Sequence, residues 1–141
     1  MALVKSFTAQ TDIGEYCPVT AGTEEMTVKA MSGPTELVMG VAQKAVKAGE
    51  IVDVVMHGET VVDCEGAVDC SAPLGVNANG KACLINLEAE PFSTADADAP
   101  YFGVIGMAIE NATSSAMLNA FVNPYVIKKE AAATETVTEQ A

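Results

Sequence analysis

Residues 38–56 read VMGVAQKAVKAGEIVDVVM, and residues 104–122 read VIGMAIENATSSAMLNAFV. The two stretches align without a gap, with Val38 on Val104. Gly40 falls on Gly106, Ala42 on Ala108 and Asp53 on Asn119. Apolar positions coincide as well: Met39 with Ile105, Val41 with Met107, Ile51 with Met117, and Val52 with Leu118. Each copy reads as a short apolar strand, a small polar connection and a second apolar strand. Two such hairpins supply edges and faces that close on one another, which is how a small all-β domain removes its unpaired strand edges. The rest of the chain is expected to be built around this pair.

Helix competes for Val41 to Ala48, because Ala and Lys are good helix formers. Gly40 and Gly49 bracket that short segment and β-branched residues crowd both sides of it, so sheet is the reading adopted. Ile51 to Met56 is a nearly continuous apolar strand, as expected where both faces are covered. His57-Gly58 is predicted to end it in a tight hairpin, with Glu59 to Cys64 returning as the next strand. Glu65-Gly66 makes a further turn, followed by Ala67 to Cys70 and an irregular stretch from Ser71 to Gly75. Asn79-Gly80 is a strong hairpin cue, and Lys81 to Leu87 alternates behind it. Residues 89–100 (AEPFSTADADAP) read as a loop of small and acidic residues. Tyr101 to Ile109 opens the second copy and Asn111 to Ser115 connects it. Met117 to Ile127 is a long final strand with Pro124 as its bend. Lys128-Lys129 closes the fold. Glu130 to Ala141 (EAAATETVTEQA) is polar, acidic and aperiodic, the composition of a disordered tail.

Upstream, residues 1–36 alternate short apolar runs with turn signals at Cys17-Pro18, Thr20-Ala21-Gly22 and Ser32-Gly33-Pro34. Glu36 to Ala42 is strand-like. Met26 to Met31 alternates, and as a strand it places Met26, Val28 and Ala30 on one face. The region reads as an extended arm with one or two short strands, or alternatively as a mobile tail. Six to nine short strands spaced by Gly, Asn and Pro turns, with no convincing long helix, make an all-β fold, a small β-barrel or β-sandwich. The expected organisation is an N-terminal arm over 1–34, a β domain over 35–129 and a disordered acidic tail over 130–141.

The 141 residues suit one domain with a real core. Half are hydrophobic but only 5% are aromatic and Trp is absent, which favours a thin sheet core over a large aromatic cleft. Nineteen acidic residues against seven basic ones give a net charge of −12. Such a surface repels phosphate backbones and offers no counter-ion release, so nucleic acid is not an expected partner. No apolar run approaches the ~20 residues that span a bilayer, so neither is a membrane. The opening MALVKSFTAQTDIGEY has a single Lys and no apolar stretch followed by a small-residue cleavage site, unlike a secretory signal. A protein kept in a reducing cytosol holds Cys17, Cys64, Cys70 and Cys83 as thiols; a Cys64–Cys70 disulfide requires an oxidant met outside the cell.

Chemistry-bearing motifs are scarce. The single histidine, His57, sits beside Gly58 in a predicted turn, with no Ser, Cys or Asp motif nearby to suggest a triad. No nucleophile elbow, HExxH, P-loop or GxGxxG occurs. His57, Cys64, Cys70 and Cys83 are the right ligand types for zinc, but the cysteines lack the tight CxxC pairing of structural zinc sites and read better as small buried hydrophobes. Asp96-Ala97-Asp98 lacks the Gly and the distant Glu of a calcium loop. Residues 46–52 (VKAGEIV) are similar to part of a lipoyl or biotinyl domain, but neither of that family's modified-lysine tripeptides, Asp-Lys-Ala and Met-Lys-Met, is present. No catalytic, cofactor-binding or metal residue is assigned, no cofactor is expected, and the chain is not read as an enzyme.

The order GVA, a connection ending in AGE, VDVVMHG, VVDCEGAV, SAPLGVNANGKA, then FGVIGMAIENA and AFVNPY resembles the small capsid decoration (cement) proteins of tailed bacteriophages. The resemblance spans roughly Thr35 to Tyr125. It implies a β-barrel or β-sandwich that binds the outside of an icosahedral head through the major capsid protein, oligomerises there as a homotrimer, and is assembled in the host cytoplasm. No catalytic residues carry over. Contacts are expected from the arm up to Met31 to the capsid, and from strand edges to other copies. Apolar edges, an extendable arm and small-residue loops suit contact spread over several subunits, many weak contacts add by avidity, and an acidic exterior keeps a crowded shell soluble. The alternative is a small-ligand or carbohydrate-binding β-domain, with a shallow site formed by the loops around His57 and Phe92 to Tyr101. There Phe92, Tyr101 and Phe102 are the candidate platform, and Phe121 and Tyr125 read as core.

Overall fold

The computed structural model describes residues 2–86 and 101–128. The acidic loop and Asp96-Ala97-Asp98, the Leu87 end of the strand expected behind Asn79-Gly80, and the C-terminal tail lie outside the described residues. The fold is all-β, with nine strands and no helix among the described residues. In chain order they are β1 (Leu3–Ala9), β2 (Pro18–Ala21), β3 (Thr27–Ala30), β4 (Gly40–Ala42), β5 (Ile51–Cys64), β6 (Pro73–Val76), β7 (Ala82–Leu84), β8 (Tyr101–Ala108) and β9 (Ala116–Lys128).

The strands close two five-membered cycles that share β5. The first runs β1-β3-β2-β4-β5 and returns to β1; the second runs β5-β7-β6-β8-β9 and returns to β5. In each cycle one pairing is parallel, β1 with β3 and β5 with β7, and the remainder are antiparallel. The two barrels are copies of one another down to the register. Val41 pairs with Val55 and Ala42 with Val54; at the aligned positions of the second copy Met107 pairs with Phe121 and Ala108 with Ala120. Upstream the repeat continues at a shorter spacing. Pro18↔Val41 and Val19↔Gly40 become Pro73↔Met107 and Leu74↔Gly106. Phe7↔Val52 becomes Val62↔Leu118. Even the isolated bridge Ile13↔Val46 recurs as Val68↔Ala112.

The hydrophobic cores repeat in the same way. Phe7, Val19, Val52 and Val54 fill the first barrel; Val62, Leu74, Leu118 and Ala120 stand at the matching places of the second. Phe7 and Val54 shrink to Val62 and Ala120 while Val19 and Val52 grow to Leu74 and Leu118, so the places stay apolar and buried while side-chain volume is redistributed among them. The second core also takes in Met31, Val38, Val41 and Val55 of the first half, all buried. The barrels therefore share one packed boundary.

Several sequence expectations change in this light. Residues 3–30, read as an arm or tail, carry β1, β2 and β3, which are staves of the first barrel and supply buried Phe7, Val19 and Val28. The expected boundary between residues 34 and 35 thus falls inside the chain's first β unit. Met26 does not share a strand face with Val28, because it lies in the turn before β3 with φ of 59°. The strand expected from Glu36 begins only at Gly40, because 31–38 is used as a strap across the second barrel: the Gly103 amide donates to the Pro34 carbonyl at 3.1 Å.

The hairpin expected at His57-Gly58 does not form. β5 runs straight through both residues for 14 positions, changing partners rather than direction: His57 lies across from Leu3 of β1, and Gly58 from Val122 of β9. Gly58 takes φ of 124°, which accommodates the twist at that exchange. The hairpin expected at Asn79-Gly80 is present, with Val76 facing Ala82 and Asn77 Oδ1 accepting from the amides of Asn79 and Lys81. Pro124 sits inside β9, where the register against β8 shifts between Val104 and Gly106; a bulge is where a residue without an N–H is tolerated.

Candidate functional site

His57 is an exposed strand residue whose ring meets Phe121 edge-on, with centroids 5.1 Å apart. The four cysteines do not converge on it. Cys17 and Cys64 are buried, Cys83 is half-buried, and exposed Cys70 donates its thiol hydrogen to the Ile109 carbonyl at 3.3 Å. Burial, with Asp63 nearby, pushes the Cys64 thiol up to about 11; burial, with Cys64 and Glu65 nearby, pushes Cys83 up to about 12. Such thiols are protonated, poorly nucleophilic core groups. Among the described residues no group of three or more His, Cys, Asp or Glu is placed to hold a metal ion.

The ionic contacts are structural. Lys81 Nζ meets Asp63 Oδ2 at 2.5 Å, which raises the lysine's pKa and ties the hairpin of β6 and β7 to β5. Glu65 Oε1 accepts from Asn77 Nδ2 at 2.6 Å and Asn79 Nδ2 at 3.1 Å, and these bonds hold its carboxyl below the usual range. Glu110 is lowered likewise by the Asn119 side chain and amide, at 2.9 and 3.2 Å.

The surface is more informative. The two barrels place matching shallow hollows between the loop after their first strand and the loop after their fourth. One is lined by Asp12, Ile13, Gly14, Ala45, Val46 and Lys47, the other by Val68, Asp69, Asn111, Ala112 and Thr113. Both are small and open. Where the barrels differ is in what covers them. At one end of the second barrel Val76, Ile105 and Val122 are fully buried in the cluster that includes Met31, Val38, Val41 and Val55 from the first half. The same places in the first barrel are Ala21, Met39 and Met56: Ala21 is exposed and both methionines are only half-buried. A groove lined by Thr20, Ala21, Lys29, Leu37 and Met39 opens there, and Leu37 is 58% exposed.

The converse holds on the outer face of the hairpins. Val41 and Val55 are 0% and 3% exposed, whereas their counterparts Met107 and Phe121 are 44% and 36% exposed. Phe121 and Tyr125, which read as core in the sequence, are both on β9 and both exposed, Tyr125 at 48%, because alternation along a strand does not reveal which of its two faces is covered. Of the residues expected to form a sugar platform, Phe92 lies outside the described residues and Phe102 is fully buried. Tyr101 is exposed, with Lys128 Nζ 6.0 Å from its ring centroid. Met31, the expected end of a capsid-binding arm, is 4% exposed in the second core. The strand edges expected to mediate self-association are taken up only in part by closing the two cycles, since β1 meets β3 at Thr8 and Ala9 alone and β5 meets β7 at Cys64 alone.

No protein-family model matches the chain, and no curated protein matches it in sequence. Among solved structures, its fold is similar to that of the N base of head fiber gp8.5 in bacteriophage phi29, with a TM-score of 0.59, 16% sequence identity, 87% of this chain covered and 95% of that one.

Proposed function

We propose that this protein is a structural component of a tailed-phage particle that binds the outer surface of the icosahedral head as a homo-oligomer, a trimer in the simplest case, and stabilises the shell. One observation carries the reading: the fold likeness to a phage head-fiber base extends over 87% of the chain. The surface agrees with it. Among the described residues the two linked barrels present shallow hollows and apolar faces, which suits contact spread across several capsid subunits. The net charge of −12 disfavours direct contact with packaged DNA and favours the particle exterior. The major capsid protein is the partner this reading requires, and the head exterior is its place, reached after assembly in the host cytoplasm.

The test is co-sedimentation of the purified protein with phage heads that lack it, followed by a heat challenge. Saturable binding at a fixed number of copies per head, with DNA release shifted to higher temperature, supports the proposal. Heads that sediment without the protein at micromolar concentrations overturn it.

A further inference from the structure

We propose that the Met107–Phe121 face of one copy docks on the groove at Ala21, Leu37 and Met39 of a second copy, repeating between chains the contact that the two barrels make within one. The inference deepens the self-association in the proposed function and does not depend on head binding.

The chain contains a worked example of this contact. In the first barrel the outer face of the hairpin formed by β4 and β5 carries Val41 and Val55, and it is buried against the second barrel's end at Val76, Ile105 and Val122. Register matching identifies the corresponding surfaces, which lack a partner among the described residues. The outer face of the hairpin formed by β8 and β9 carries Met107 opposite Phe121 at the same two positions. The first barrel's end carries Ala21, Met39 and Met56 in place of Val76, Ile105 and Val122. Among the described residues, one unit of the pair thus has its hairpin face covered and its end open, and the other has its end covered and its hairpin face open.

The side chains on the two open surfaces differ from an ordinary polar exterior. Met107 and Phe121 are a large, exposed, directly paired couple, with the His57 ring edge-on to Phe121. The groove opposite offers Leu37 and half-buried Met39. Methionines adapt to an irregular partner, and an exposed aromatic is the usual anchor of a protein contact. A second copy is the partner the chain itself points to, because the surfaces at the matching positions pack together in one core within the chain. The contact joins unlike surfaces, so it is head-to-tail: copies close into a ring when the rotation between them divides a full turn, and extend otherwise.

The experiment compares the masses of the wild type, Phe121→Asp and Leu37→Asp over about 1–100 μM by light scattering behind a sizing column. Both side chains are exposed in the single chain, so each variant is expected to fold, checked by circular dichroism; Met107→Lys and Met39→Lys stand in where either does not. The expected result is an oligomeric wild type, with association weakened on the order of a hundredfold in each single variant. An equimolar mixture of the two variants then forms a one-to-one dimer, because one intact groove meets one intact face. A monomeric wild type, variants that keep the wild-type mass, or dissociated variants that fail to pair on mixing each overturn the inference. Head binding in the sedimentation assay is scored separately, so a wrong interface is distinguished from a wrong role.

Discussion

Gly40 and Gly106 occupy the same place in successive barrels, each with its α-carbon pressed against a carbonyl of the neighbouring strand. A side chain on Gly40 meets the carbonyl of Val55, and one on Gly106 meets that of Phe121, the residue aligned with Val55 in the second copy. Gly106 also holds φ of 154°, so it is constrained twice. Alanine at either position is expected to destabilise the protein by about 2 kcal/mol or more, with Gly106→Ala the worse of the two. Denaturant unfolding of both variants checks the order.

The shared β5 and the burial of Val41 and Val55 in the second core make the two barrels one folding unit. Leu74→Ala, at a fully buried site of the second barrel, is expected to cost about 2–5 kcal/mol. It should lower one common transition, as should Val19→Ala in the first barrel. Calorimetry at fixed protein concentration, with calorimetric and van't Hoff enthalpies compared, checks this; two separated transitions would count against the shared boundary.

Stability should fall in alkali. An unfolded thiol ionises near about 8.5, whereas burial holds Cys64 near 11 and Cys83 near 12 in the fold. Both raised values mean the contribution is intact below about pH 8.5 and is lost as pH climbs toward the folded values, because only the unfolded chain releases the protons. Lys81, raised by Asp63, acts in the same direction at higher pH. The unfolding midpoint should drop between pH 7.5 and 10 in the wild type, and drop less in the Cys64→Ala, Cys83→Ala double variant.

The acid limb has the opposite sign. Glu65 and Glu110 are held low by asparagine hydrogen bonds, so their contribution is present above the unfolded carboxylate value and is lost as pH falls through the lower folded one. Carboxyl titration by NMR should place both midpoints below about 4.3. Asn119→Ala should raise Glu110 part of the way toward the ordinary range, because the backbone amide at 119 still donates to it, while leaving Glu65 where it is.

The repeat is legible where the sequence keeps shape-critical residues. Gly40 and Gly106 mark the same close approach, and the ungapped match between 38–56 and 104–122 follows from them. The upstream half of the repeat is not legible. Of its matched residues Pro18 and Pro73 are identical, but Phe7 is matched by Val62 and Thr20 by Gly75, so burial is kept without identity. The N-terminal strands therefore read as an arm. At His57-Gly58 a glycine that lets one strand pass between two barrels carries the same local signature as a glycine that reverses the chain. Nothing local distinguishes them; the partner strands do. Phe121 and Tyr125 read as core for a related reason, since the apolar pattern of a strand is the same whether its covering layer is in the chain or in another copy.

The most direct test of the proposed role is a pair of electron-microscopy reconstructions, of phage heads with and without this protein. The expected result is added density on the outside of the shell, large enough for both barrels of each copy and repeated at equivalent capsid positions. Two reconstructions that superimpose without any difference outside the shell would contradict it.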